Sequence, residues 1–393
     1  MRSRFAATGG GTVNEAIRRS GMDVGIQMIF STYGWPGMTD REAWREEIRL
    51  ARLADELGFD VIWSVEHHFF DYSFCPDNLQ MLSYLAPLCT HADLGTAAII
   101  LPWNDPLRVA EKVAVLDLLS DGRVRLGLGR GLARREFAAF RGTLDESRER
   151  FDEASVMILD ALRTGFMEGD GKFYKQPRIE IRPRPERSFE GRTYAVASSD
   201  DSIDAAARLK ACMLMFADRP WPQRLPGIEK YRELFMRYHG VAAPPPVTAD
   251  QCICAATAAE AEELAVRHMA SFVDSNLEHY ELMSKHFDTT KGYDSYAKKS
   301  LIARTAGRDG LVSALLQVAV RGTPDQVLRA YEARRALLGD FELNSSFRFG
   351  GIPLAKAETS MRLFAKEVLP VLKTWKPAAP GARPALAAAS GGG

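Results

Sequence analysis

The chain of 393 residues lacks any bias of charge: 51 Lys and Arg stand against 51 Asp and Glu. Without a basic field it has nothing to attract nucleic acid or an anionic membrane surface. A small molecule is the expected partner. No apolar run approaches the roughly 18 residues that a membrane span needs, and the first residues carry no signal-like apolar stretch. Cysteine is scarce and odd in number: Cys75, Cys89, Cys212, Cys252 and Cys254 are scattered through apolar segments. That usage points to a reduced, cytoplasmic protein. Cys252 and Cys254 form only C-x-C on one face of an expected strand, and no second pair with zinc-site spacing accompanies them, so core packing is their expected role. An H-E-x-x-H helix and a G-x-S-x-G nucleophile elbow are also missing. No metal site is expected, and a serine hydrolase is disfavoured.

What is present is an alternation of apolar runs with capped, amphipathic segments. Strands are expected over 23–31, 60–66 and 93–101, from 122 onward, and over 193–198, 211–217, 247–256 and 341–348. Thr39 with Glu42 makes a capping box, and Gly58 marks the end of that helix. Asp105–Pro106 offers a cap followed by a first-turn proline, as does Thr323–Pro324. Further helices are expected over 146–164, 202–210, 227–239, 258–271 and 355–374, with a variable basic segment at 172–192 and a Trp/Pro-rich loop at 220–226. Eight strands alternating with helices predict the α/β class, a (β/α)8 TIM barrel whose chemistry sits on the loops after the strand C-termini. We expect an N-terminal extension at 1–22, a barrel over 23–376, and a flexible tail at 377–393. An inserted helical segment, about 272–320, falls between strands 7 and 8. Its Tyr280, Met283, His286, Phe287, Tyr293 and Tyr296 suit either a lid over the site or a helical hairpin at a subunit contact.

The chemically capable residues fall mostly at the expected strand ends. Glu66, His67 and His68 follow strand 2; Asn104 and Asp105 follow strand 3; Arg130 and Glu136 follow strand 4; Ser198, Ser199 and Ser202 follow strand 5. Histidine exchanges protons near neutral pH, and alternation along a strand aims one imidazole of the pair at the pocket and the other behind it. Taken singly, each residue has a plainer role. Glu66 would pair with an arginine, Asp105 would only cap a helix, and the serines would cap the next one. In GRVRLGLGRGL (122–132), Gly127, Gly129 and Gly131 allow close backbone approach or positive φ, while Arg130 and the later Arg148 offer planar cations suited to phosphate. The G-x-G-x-G spacing invites a dinucleotide reading, but position 132 is Leu, where the fingerprint needs its third glycine. A structural turn with solvated arginines remains the other reading.

GFDVIWSVEHHF (58–69), AAIILPWNDPLRVAEKVAVLDLLSDGRVRLGLGRGL (97–132) and EF…SRERF (136–151) resemble the flavin-dependent bacterial luciferase-like monooxygenases. The resemblance implies a barrel that binds reduced FMN supplied by a separate flavin reductase. With O2 as co-substrate it would form a flavin C4a-hydroperoxide and oxygenate a small organic metabolite such as a ketone or aldehyde. It also implies a catalytic imidazole at His67, with His68 and Glu66 beside it. Arg130, Arg148 and Ser198 would hold the phosphate, aided by the backbone near Leu132 and by Ser199 and Ser202. The flavin ring would lie over the strand that contains Ala97 and Ala98. Family members commonly form dimers, so a homodimer is expected. Bacterial luciferase has a cysteine where this chain has Gly129 and an aspartate where it has Glu136. Light emission and long-chain aldehydes are therefore not expected, and Gly129 is expected to leave room for a bulkier substrate. Alternatives are a deazaflavin (F420)-dependent oxidoreductase on the same barrel, a non-catalytic flavin-binding protein, and, as an outsider, a metal-dependent hydrolase.

Overall fold

Short apolar runs bounded by turns build the inner wall. The computed structural model describes residues 21–290 and 292–375, and not the side chains of residues 294 and 295. The expected tail, and all but the last two residues of the expected N-terminal extension, lie outside the described residues. Eight strands stand in chain order: β1 Val24–Met28, β2 Val61–Ser64, β3 Asp93–Thr96, β4 Val124–Gly129, β5 Thr193–Val196, β6 Cys212–Phe216, β7 Val247–Cys254 and β8 Glu342–Ser346. Each pairs in parallel with the next, and β8 returns to β1, so the sheet closes. This is the (β/α)8 barrel that the alternation predicts.

The local signals place the outer helices. In α1 (Asp40–Leu57) the Thr39–Glu42 capping box forms, and Gly58 ends the helix at φ 83°. Asp77 caps α2 (Asn78–Leu85), and Asp105 caps α3 (Pro106–Leu119). The chain continues through the short α4 (Arg134–Ala139), α5 (Ser147–Thr164), α6 (Asp200–Arg208) and α7 (Trp221–His239). It closes with α8 (Ala258–His279), α9 (Asp294–Val318, interrupted at Gly307), α10 (Pro324–Leu338) and α11 (Leu354–Glu367).

Four expectations need correction. A two-stranded antiparallel hairpin, Phe166–Asp170 with Lys175–Glu180, runs into the basic segment. Its second strand is almost wholly exposed, so it shows none of the apolar alternation that marks a strand. The Trp/Pro-rich loop is the first turns of α7: Pro222 stands in the first turn, where a helix has no amide to satisfy, and Pro226 lies inside the helix. Helix α8 runs to His279 rather than 271, so the insertion begins inside a continuous helix. The last helix breaks at Val368, ahead of Pro370.

The barrel interior is filled from the N-terminal end. Trp63 is buried there, and a Cβ on Gly25 or Gly95 would come within 2.8 or 2.2 Å of its indole. Beside it Arg125 reaches Asp93 at 2.9 Å, Glu342 at 3.2 Å and the Tyr194 hydroxyl at 3.1 Å, and also pairs with Asp23. Cys252 and Cys254 are buried and free, as core packing requires.

Gly127 joins β4 to β3 rather than approaching a ligand. Its N–H donates to Thr96 Oγ1 at 2.8 Å, and that hydroxyl donates back to its carbonyl at 2.9 Å. A Cβ here would stand 1.9 Å from the Thr96 carbonyl oxygen. Gly127→Ala is therefore expected to cost about 1–3 kcal/mol or more through overpacking, read as a lower urea midpoint with unchanged m-value.

Candidate functional site

The C-terminal ends of the strands surround one cavity, with about 1400 Å³ of space counted out to the solvent at its mouth. At the end of β2 the alternation separates the two histidines. His67 lines the cavity, while His68 turns into an aromatic nest, 4.7 Å from Phe140 and 5.9 Å from Trp103 between ring centroids. Among the described residues Glu66 takes neutral donors and no arginine: Ile100 N at 3.0 Å, Trp103 Nε1 at 2.7 Å and Asn104 Nδ2 at 2.9 Å. Its carboxylate thus fixes the segment after β3. Ala97 and Ala98 line the cavity there, joined by a cis peptide, and Asn78 Nδ2 donates to the Ala98 carbonyl at 3.1 Å.

Glu136 organises the imidazoles. Its Oε1 accepts the His68 amide at 2.7 Å and lies 3.3 Å from His67 Nδ1 and 3.7 Å from His279 Nε2. Among the described residues His67 Nε2 makes no hydrogen bond, which leaves that nitrogen for a ligand. His279 comes from α8, is fully buried, and among the described residues has no hydrogen bond at either ring nitrogen. Tyr72 stacks on it at 4.9 Å. Among the described residues, His67, Glu136 and His279 are the one group of such side chains close enough to share a metal ion, with ligand atoms within 4.8 Å of one another.

A cationic region lies at the ends of β4 and β5. Arg130 lines the cavity, its guanidinium 4.0 Å over the Tyr293 ring and donating to the Gly292 carbonyl at 2.7 Å. Arg148, in the first turn of α5, is held below its usual range by burial and then by the charge of Arg130. Among the described residues Arg130 Nη1, Arg148 Nε and Arg148 Nη2 are all buried without a hydrogen bond, and the nearest carboxylate to Arg148, Asp152, is 3.5 Å away. Two guanidiniums with unused donors fit an anion such as phosphate. Ser199 and Ser202 cap α6 and bond each other, as the plainer reading held, and Ser202 Oγ also accepts the Ser198 amide at 2.9 Å. Among the described residues only Ser198 of these three leaves its hydroxyl uncommitted. Leu132 lines the wall. At Gly129 the expected extra room is filled: a Cβ there would stand 2.9 Å from Ile100 Cδ1 and 3.1 Å from Ala98 Cβ.

The comparisons bear on this geometry. The family described as luciferase-like monooxygenase matches residues 22–340. The chain belongs to that family. It is thus a flavin-dependent oxidoreductase. The alkanal monooxygenase alpha chain of Photorhabdus luminescens is 26% identical over 351 residues, covering 87% of this chain and 95% of that one. The monooxygenase RslO1 of Streptomyces bottropensis superposes with a TM-score of 0.71 at 27% identity, over 89% of this chain and 99% of that one. The oxygenating constituent of 3,6-diketocamphane monooxygenase from Pseudomonas putida, solved with FMN, gives a TM-score of 0.66 at 18% identity, over 89% and 98%. Coenzyme F420-dependent enzymes share the fold as well, so the barrel alone does not choose between flavin and deazaflavin.

Sequence reading missed His279, Lys299, Arg224 and Asp218, which reach the site from α7, α8, α9 and the end of β6. Nothing in their local sequence marks them, because their meeting is a product of the closed ring. Burial, with the charges of His67 and Arg135 adding to it, pushes the His279 imidazolium from 6.5 down to about 2. The unfolded chain takes up this proton below about pH 6.5 and the folded protein does not, so stability falls with pH across that interval by up to ~1.4 kcal/mol per unit. In urea titrations, going from about pH 7 to about pH 5 should cost the wild type about 2 kcal/mol more than His279→Phe.

Proposed function

We propose that the chain is an FMN-dependent monooxygenase, fed with reduced FMN by a separate reductase, that oxygenates a small organic molecule such as a ketone or aldehyde. One observation carries this reading: Arg130 lines the cavity that His67 also lines, and both it and the buried Arg148, close enough to feel its charge, keep donors unused among the described residues. Arg130 and Arg148 would hold the cofactor phosphate, with the Ser198 hydroxyl and the backbone around Leu132 completing the cradle. Ala97 and Ala98 would floor the ring. Reduced flavin supplies the electrons that activate O2 and thereby one oxygen atom for the substrate.

The chain's own residues supply position and protons. Glu136 sets the His67 ring through Nδ1, so that Nε2 gives or takes a proton at the cavity. Glu66 and His68 stand behind, positioning the strand ends. Support for the oxygenase over the deazaflavin reading comes from the Photorhabdus luminescens and Streptomyces bottropensis relatives, at 26% and 27% identity, each of which is named as a monooxygenase. The free, buried cysteines are in keeping with a reducing compartment such as the cytoplasm, and the family resemblance carries with it a homodimer.

The insertion roofs the cavity with Asn276, Tyr280, Tyr293, Tyr296 and Leu315, and is tied to the anion site where Tyr293 OH donates to the Gly131 carbonyl at 3.0 Å. We read it as a lid that excludes water from the reacting centre. Limited proteolysis within 281–293 should slow when FMN is added; equal cleavage with and without FMN would assign the segment to a fixed contact.

Anaerobic titration with reduced FMN and with reduced F420, followed by oxygenated buffer and a panel of ketones and aldehydes, tests the function itself. The expected result is binding of FMN and gain of one oxygen atom by a panel member. Arg130→Ala should weaken FMN about 10- to 100-fold, the loss of charge-assisted bonds of ~1.5–3 kcal/mol. His67→Ala should keep FMN affinity and lose about 10²- to 10⁴-fold in product formation. Hydride exchange with F420 and none with FMN would replace this reading by the deazaflavin one.

A further inference from the structure

A second group of cations faces the same cavity and is not needed for the phosphate. It lies at the end of β6, where Asp218 is held by two arginines. Arg219 Nε and Nη2 each reach it at 3.1 Å, and Arg224 donates to it as well as to the Phe216 carbonyl at 3.0 Å. That carboxylate is therefore already engaged. Lys299 projects into the cavity wall from α9, one turn beyond Tyr296, and among the described residues it has no hydrogen bond and no ion pair. Burial pushes its ammonium below the usual range, Asp218 draws it back, and Arg219 and Arg224 push it down again. Arg224 also lines the cavity, is only 5% exposed, and among the described residues leaves its Nε buried without a partner. Asp250, the carboxylate in the adjoining wall, is neutralised by Arg334 at 2.6 Å. Three cations around one carboxylate leave a local excess of positive charge with unused donors. In a partly dry cavity such an excess calls for an anion.

Position assigns that anion. In the closed ring of eight strands β6 stands four strands from β2, so Lys299 and Arg224 face His67 across the mouth. The wall between is largely aromatic, with Tyr72, Phe216, Phe272, Tyr280 and Tyr296. Resting on the FMN-dependent reading above, we propose that Lys299 and Arg224 form a second anion subsite, which takes a carboxylate or similar anionic group on an aromatic or otherwise apolar substrate. The oxidisable end of that substrate is thereby directed toward His67.

The test uses the full chain loaded with oxidised FMN and titrated with benzoate and with its neutral isostere benzamide, followed by calorimetry. Benzoate should bind at least about tenfold more tightly than benzamide. Lys299→Met should abolish that preference with FMN affinity within about twofold of wild type, and Lys299→Arg should restore it, which separates charge from folding. No preference for benzoate in the wild type overturns the subsite. So does an intact preference in Lys299→Met. A large loss of FMN affinity in Lys299→Met overturns it too, because these cations would then hold the cofactor's own phosphate. Should FMN fail to bind the wild type, the cofactor reading falls, and the same benzoate and benzamide titration of the flavin-free chain still decides the subsite.

Discussion

Arg125 occupies the point where the starts of five neighbouring strand segments would otherwise leave a polar hole. Its guanidinium gathers Asp23, Asp93, Glu342 and the Tyr194 hydroxyl, and Trp63 fills the space above, fitted against the bare faces of Gly25 and Gly95. A buried ion network of this kind adds little net stability, since desolvation offsets most of the attraction. Its effect is to define register, because each partner comes from a different strand. It also closes one end of the barrel. The cavity then has only the C-terminal ends of the strands to open upon, and everything that touches a ligand must come from the loops there.

Two buried carboxylates divide the work at that open end. Glu66 accepts from neutral donors after β3 and among the described residues carries no ion pair with an arginine. It holds the floor. Glu136 lies among His67, the His68 amide and His279, and so couples the β2 end to the helix α8 that leads into the insertion. The insertion is anchored a second time, where Arg130 bonds Gly292 and stacks on Tyr293. The insertion is thus tied both to the imidazoles and to Arg130.

Much of this architecture was legible in the sequence because its signals are local. Period-two apolar runs, the Thr39–Glu42 box, Asp105–Pro106 and Gly58 each act within a few residues, and each appears where expected. The histidine pair at a strand mouth and Arg130 after the next glycine-rich strand were legible for the same reason. The hairpin over 166–180 was not, since a strand exposed on both faces has no hydrophobic period to read. Prolines at Pro222 and Pro226 disguised the start of α7 as a loop. Gly129 suggested open space because sequence shows the missing side chain and not the neighbour, Ile100, that fills its place. His279 and Glu136 are 143 positions apart in the chain, and only closure of the barrel brings them together.

The distribution of charge around the mouth follows from the same closure. Glu66 and Glu136 lie toward β2 and β4 behind the histidines, whereas Arg130 and Lys299, with Arg224 sharing the carboxylate of Asp218 with Arg219, present an excess of positive charge from β4 round to β6. Inside a cavity with protein walls, such separation is screened less than on a surface. An anionic ligand entering there meets a gradient and not a uniform field. It would settle with its charge toward β5 and β6 and its uncharged part against the aromatic wall near His67. Orientation of that kind restricts which atom faces the imidazole, and a flavin-dependent oxygen transfer needs that restriction, since activated oxygen attacks whatever is held beside it.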